Sequence, residues 1–202
     1  KEGNQMSLLE DYSRWDDMVN FTKTRNARWA DNNLGTLTQS FPYSLVQTYD
    51  AKHRLIYNRS DNSITGLEEF RIEPEVLDSL ATRKKLFYNT QHGNTIFAIA
   101  VAGVVASEDT LRLTTPSAYL LIAQAWDYRY LDELSKSLNY DIRISNTEPG
   151  KDDTDESQYN TRIDRPIKNW YDKTIAWLVF YSRNPFLNEL RALGNLIIFG
   201  TM

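Results

Sequence analysis

Catalysis needs nucleophiles, bases, metal ligands or paired carboxylates at workable spacings, and this chain of 202 residues offers few of them. Asp152, Asp153 and Asp155 are close-set carboxylates of a type suited to general acid–base work. They lie, however, in residues 146–157 (NTEPGKDDTDES), a stretch with no pattern to hold them in place, which reads as a solvated loop. Their spacing does not make a calcium loop either, which requires a central glycine and a closing glutamate. Ser107-Glu108-Asp109 reads as a turn. There is no cysteine and only two histidines, His53 and His92. Thiolate metal sites, cysteine nucleophiles and multi-histidine centres are thereby removed, and little is left for a histidine-based triad. No GxSxG, P-loop, GxGxxG or HExxH motif is present. The chain therefore reads as a non-enzyme, with no cofactor and no metal.

The acidic stretch holds five acids and one lysine, which accounts for the whole formal net charge of −4. That balance speaks against a nucleic-acid partner. Five Trp, twelve Tyr and eight Phe in a chain that is 41% hydrophobic supply a packed core.

The elements that must position any site come next. Residues 7–23 predict an amphipathic helix with Leu8, Tyr12, Trp15 and Val19 on one face; Glu10, Arg14 and Asp17 point away, and Asp16 falls at the edge of the apolar face. Residues 25–38 predict a second, weaker helical stretch ending near Gly35. Tyr43–Tyr49 and Arg54–Asn58 are β-rich runs joined by Asp50-Ala51-Lys52-His53, a hairpin. Residues 59–73 read as loop, and Pro74 opens a short helix to about Thr82. Two apolar runs, 94–106 and 117–126, are too short to cross a bilayer and read as central strands. A helix at 127–137 and strands at 140–145, 158–167 and 172–181 follow. There is no internal repeat and no linker-like stretch. The expected fold class is α+β in one domain spanning 1–202: a helical segment 7–38, an antiparallel sheet core 43–181 and a C-terminal helix 185–202.

Alternation in the first central strand puts Phe97, Ile99, Val101 and Val105 on one face and Ala98, Ala100 and Ala102 on the other. A row of three alanines leaves space, either for a closely packed helix or for a ligand. Gln124 shares a face with Leu120, Ile122 and Trp126, and a buried amide there needs a hydrogen-bond partner.

The helix DYSRWDDMVNF, the RWADNNLGTL that follows it and the hairpin SLVQTYDAKHRLIYN together resemble the CHASE4 family, the extracytoplasmic sensor domains of bacterial and archaeal membrane receptors. The family's marks are a W-D-D helix segment, an asparagine-and-leucine stretch and a D-x-x-G turn. They correspond to Trp15-Asp16-Asp17, Asn32-Asn33-Leu34 and Asp50-Ala51-Lys52-His53. The likeness covers about residues 8–145. His53 stands where the family usually has glycine, so the turn must avoid the left-handed conformation or accept strain. The resemblance implies a PAS-like sheet with a long N-terminal helix packed on it. It also implies a C-terminal helix leading to the membrane, in the periplasmic domain of a membrane-anchored histidine kinase or diguanylate cyclase.

On that footing the expected role is ligand sensing. Tyr12, Trp15 and Asp16 from the helix are expected to line a pocket with Tyr57, Phe97, Tyr119, Gln124 and Trp126 from the sheet. Aromatic walls with few polar groups suit a small organic molecule, an amine or amino acid if Asp16 is ionised. The other role open to Asp16 is a hydrogen-bonded strut, with Trp15 as a packing anchor, that locks helix to sheet. The alternative is a protein-interaction module that dimerises through helix 7–23, for which Leu8, Tyr12, Trp15 and Val19 would have to be exposed.

Overall fold

The computed structural model describes residues 2–148 and 161–182. Most of the acidic stretch and the expected helix 185–202 lie outside the described residues. The chain divides into two compact units, 1–126 and 127–202.

Unit 1 opens with α1 (Glu2–Ser13), α2 (Asp16–Thr24), α3 (Ala27–Asn33) and α4 (Leu37–Ser40). The helix expected over 7–23 is thus two helices, broken at Arg14-Trp15. Neither proline nor glycine causes the break. The carbonyl of Ser13 is taken by the backbone N–H of Val105 at 2.9 Å instead of by the next helical turn. Trp15 is extended (φ −115°, ψ 126°), and Asp16 and Asp17 open α2, where carboxylates suit the helix dipole. Asn26 caps α3 by accepting the Trp29 N–H.

Strands β1 (Leu45–Asp50), β2 (Leu55–Ser60), β3 (Lys85–His92), β4 (Thr95–Val104) and β5 (Ala118–Ala125) form one antiparallel sheet in the order β2-β1-β5-β4-β3. Between β2 and β3 run a short 3₁₀ turn, Leu67–Glu69, and α5 (Pro74–Arg83). β3 has no counterpart among the expected strands, although Leu86, Tyr88 and Thr90 alternate inward and Gly93-Asn94 makes a two-residue turn into β4. Gly93 adopts φ 58°, which that turn requires.

The register decides the faces. Ala98, Ala100 and Ala102 pair with Gln124, Ile122 and Leu120, so all six share one face. That face is closed by α1 to α4: Leu9, Met18, Phe21, Leu34 and Leu37 pack with Ala100, Ala102, Leu120 and Ile122 in one buried cluster. Of the two readings of the alanine row, the packed helix is the one found. The second face carries Phe97, Ile99, Val101, Tyr119, Leu121, Gln47 and Tyr49. Leu67, Phe70 and Ile72, with Val76, Leu77 and Leu80 of α5, form the buried side of the segment that covers it.

Unit 2 consists of α6 (Tyr128–Leu138) and a separate antiparallel sheet of β6 (Asp141–Ser145), β8 (Thr174–Ser182) and β7 (Thr161–Lys168), in the order β6-β8-β7. Asp127 caps α6 through the Tyr130 N–H, and Ser135 Oγ accepts the Ile142 N–H, tying α6 to β6. The sheet expected as one body over 43–181 is therefore two sheets. Period-two alternation fixes which face a residue takes but not which strand lies beside it.

Candidate functional site

On the helix face, the expected site residues are packing groups. Tyr12 meets Trp15 edge-on at 5.8 Å, Trp15 meets Trp29 at 5.4 Å, Phe21 stacks on Trp29 at 5.3 Å, and Phe21 meets Tyr57 edge-on at 6.3 Å. The Tyr57 hydroxyl donates to Asp31 Oδ1 at 3.1 Å. Burial and that carboxylate hold the Tyr57 phenol well above its ordinary pKa.

Asp16 accepts from the Ser107 N–H at 2.9 Å and from the Ser107 hydroxyl at 2.6 Å, using both carboxylate oxygens. These two bonds lower its pKa. Asp16 thereby ties the start of α2 to the residues that follow β4. Gln124 is buried on the same face beside Ala98, and Gln5 of α1 reaches down to the carbonyls of Ala98 and Ile122, 3.3 Å from each. The backbone N–H of Trp126 donates to Ile96 O, which extends the ladder past Gln124.

Phe97 and Tyr119 alone of the eight lie on the second face, so the pocket expected from the sequence is split by the sheet. A period-two pattern shows which residues of one strand agree. It cannot match the phase of a strand to that of a helix 80 residues away.

The second face is where the structure gathers buried polar groups outside the expected site. Gln47 is fully buried. Its amide N–H groups donate to Phe70 O at 2.8 Å and Asn58 Oδ1 at 3.1 Å, and its Oε1 accepts from the Tyr49 hydroxyl at 2.7 Å. The Ile72 N–H donates to that hydroxyl, and Asn58 donates to Glu68 O. Residues 68, 70 and 72 thus have their backbone groups matched by side chains of β1 and β2, as a strand's would be matched by a neighbour. Removing this segment would strand a fully buried amide. In sequence Gln47 and Tyr49 stand beside Thr48 and Asp50 in a strand of mixed polarity, and nothing in that pattern marks them out.

The other half of the cover, α5, is held differently. Val76, Leu77 and Leu80 pack apolar surface on the sheet. At its edge the His53 ring meets the Tyr119 ring at 5.4 Å, and His53 Nδ1 lies 3.7 Å from Asp78 Oδ1 on α5. Burial, with the Asp78 carboxylate adding to it, raises the Tyr119 pKa. His92 Nε2 lies 2.9 Å from Gly66 O, and its ring meets Phe70 edge-on, so both histidines touch the covering segment.

The turn bearing His53 settles the glycine question: His53 adopts φ 60° and accepts the left-handed conformation. Asp50 compensates. Its buried carboxylate accepts from the N–H groups of Lys52 and Arg54 at 2.9 and 3.0 Å and from Arg54 Nε at 2.8 Å, with Arg25 at 3.2 Å. Burial pushes its pKa up, but these partners outweigh it and bring it down to about 2.

Behind the sheet, where β4 ends, Arg112 is buried and donates to Gly103 O and to Ser13 Oγ. Desolvation lowers its pKa.

The sequence matches the CHASE4 domain model over residues 1–145. The chain belongs to the CHASE4 family. It is accordingly an extracytoplasmic sensing domain of a receptor. The match spans all of unit 1 and reaches β6, so both sheet faces described above lie within it. Two of the solved structures with a similar fold are periplasmic domains. One is the selenomethionine form of the Vibrio cholerae LuxQ periplasmic domain, with TM-score 0.50 and 12% identity, covering 90% of this chain and 89% of that one. The other is the Vibrio cholerae LuxQ periplasmic domain, with TM-score 0.53 and 11% identity, covering 87% and 89%. At such low identity the likeness shows the fold alone, α+β with helices on an antiparallel sheet. No curated protein matches the sequence. Among the described residues, no helix of the CHASE4 domain is long and apolar enough to cross a membrane, and no cluster of His, Asp or Glu could hold a metal ion.

Proposed function

We propose that this CHASE4 domain is the ligand-sensing input of a membrane-anchored receptor whose output is a histidine kinase or a diguanylate cyclase or phosphodiesterase. We place its ligand site on the second face of the five-stranded sheet, beneath α5. The observation that carries this reading is the asymmetry of the two faces. The helix face is filled by a continuous aromatic and aliphatic core, and each oxygen of the Asp16 carboxylate accepts a bond from Ser107. The second face is covered by one loop-and-helix segment. Its α5 half rests on apolar contacts and leaves Tyr119, His53 and Asp78 together at the rim. An aromatic wall with a few polar groups suits a small organic molecule. Sensing then requires that the ligand bind one arrangement of the cover more tightly than another, because only that difference shifts the equilibrium.

The competing reading, dimerisation through helix 7–23, needs an exposed apolar stripe. Leu8, Tyr12, Trp15 and Val19 are partly buried against the core, which favours the ligand reading. The test is a thermal-shift screen with amino acids, amines and organic acids, followed by titration of any hit. Tyr119→Ala is expected to weaken a hit at least tenfold. Asp16→Asn is expected to lower the melting temperature and leave affinity unchanged. A ligand whose affinity survives Tyr119→Ala but falls with Asp16→Asn would move the site to the helix face and overturn the proposal.

A further inference from the structure

We infer that Arg112 is a positioning residue that couples the cover of the second face to the end of α1 on the first. The inference rests on the reading above that the cover is the moving part of the sensor.

The contact route is short and passes through the end of one strand. Lys84 closes α5 with φ 67°, and its carbonyl accepts the Gly103 N–H at 3.2 Å. The carbonyl of the same Gly103 accepts from Arg112 Nη1, and Arg112 Nη2 donates to Ser13 Oγ at 2.6 Å. Two residues on, the Val105 N–H donates to Ser13 O, and two further on Ser107 binds Asp16. Residues 103–107 therefore touch the last residue of the cover and both sides of the α1–α2 break. Gly103 has no side chain to give here, since a Cβ would meet Pro116 at 2.6 and 2.9 Å.

Arg112 is costly to hold in this place. It is 8% exposed, and its two acceptors, a carbonyl and a hydroxyl, are both uncharged. A buried guanidinium whose hydrogen-bond acceptors are both neutral carries a desolvation penalty that a leucine would not, and the nearby Glu10 and Asp109 carboxylates offset only part of it. Its own φ is 53°, and its neighbours Leu111 and Leu113 stand 73% and 75% exposed. The loop enforces this inverted arrangement. Asp109 accepts from the N–H groups of Leu113 and Thr114 at 2.8 and 2.9 Å and from the Thr114 hydroxyl, and its carbonyl takes the Arg112 N–H at 3.1 Å. Filling the space requires none of this. Bridging Gly103 to Ser13 requires a long side chain with two divergent donors, which arginine supplies. Displacement of α5 then moves Lys84 and Gly103, and Arg112 passes the change to the turn that ends α1.

A contiguous route is not by itself coupling, so the test is a double-mutant cycle. Leu80→Ala loosens α5 without touching Gly103, Arg112 or Ser13. Hydrogen exchange by mass spectrometry is read on the full chain at residues 8–15 and 103–107, relative to β5 amides, which report global opening of unit 1. With Arg112 present, Leu80→Ala is expected to speed exchange at both segments at least fivefold. In the Arg112→Met background the same substitution is expected to leave residues 8–15 within twofold. Ser13→Ala removes only the hydroxyl acceptor and gives the same cycle should Arg112→Met fail to fold. Equal acceleration in the presence and absence of the Arg112–Ser13 bond, or none with both intact, overturns the inference. No ligand enters this experiment, so an empty metabolite screen leaves it standing. A confirmed ligand with flat exchange refutes the coupling alone.

Discussion

Asp50 gives the sharpest quantitative test of the structure. Its carboxylate is 8% exposed and accepts four hydrogen bonds, two from backbone N–H groups and two from arginine side chains. Its pKa falls from an ordinary 3.8 to about 2. A gap of nearly two units corresponds to about 2.5 kcal/mol of stability, at about 1.4 kcal/mol per unit. The folded pKa lies below the unfolded one, so between pH 2 and 4 the unfolded chain binds more protons and stability rises with pH. The contribution is complete above the unfolded pKa and is lost as pH falls through the folded one. Asp50→Asn cannot titrate. The difference in unfolding free energy between wild type and Asp50→Asn should be about 2.5 kcal/mol at pH 7 and shrink towards zero near pH 2. Glu10, Asp16 and Asp109 are also held low, so the difference between the two proteins is the quantity to follow. Urea titrations followed by backbone NMR signals of β4 and β5 report unit 1 alone. A difference that stays constant from pH 7 to pH 2.5 would refute the assignment of Asp50 as the charge that holds the 50–54 turn.

Three further expectations come from packing and capping. Gly103→Ala should destabilise unit 1 by about 1–3 kcal/mol through overpacking against Pro116, and Pro116→Ala should recover most of that loss in urea titrations. Phe97→Ala, at a fully buried position, should cost about 3–5 kcal/mol by the same measurement. A cost below 1 kcal/mol would mean the second face is already loosely packed. Asp16→Ala should lower the melting temperature and raise exchange at Met18 and Val19, whose N–H groups bond Trp15 O at the start of α2. Unchanged exchange there would remove the strut role of Asp16.

The resemblance and the elements were legible where local chemistry decides them. The turn at Asp50 is opened by an acid whose side chain binds the next N–H groups, and α5 begins at a proline suited to a first helical turn. The two central strands were plain from their unbroken apolar runs. The candidate site was not legible in the same way. Tyr12, Trp15 and Asp16 share chemistry with Tyr119, but a sheet lies between them. Gln47, Tyr49 and Asn58, which fasten the cover, look in sequence like ordinary polar residues of a hairpin.

By itself the sequence determined the α+β class, the hairpin, the central strands and the family, because period, turn residues and the Trp-Asp-Asp motif are local signals. Only the tertiary structure decided three things. It broke the first helix, because Val105 and Ser107 at the end of β4 offer Ser13 and Asp16 better partners than another helical turn does. It assigned the alanine row to α1, because the register of β4 and β5 sets which residues share a face. It brought Lys84, Gly103, Arg112 and Ser13 into one chain of hydrogen bonds. Those residues lie up to 99 positions apart, and no local pattern carries information over that distance.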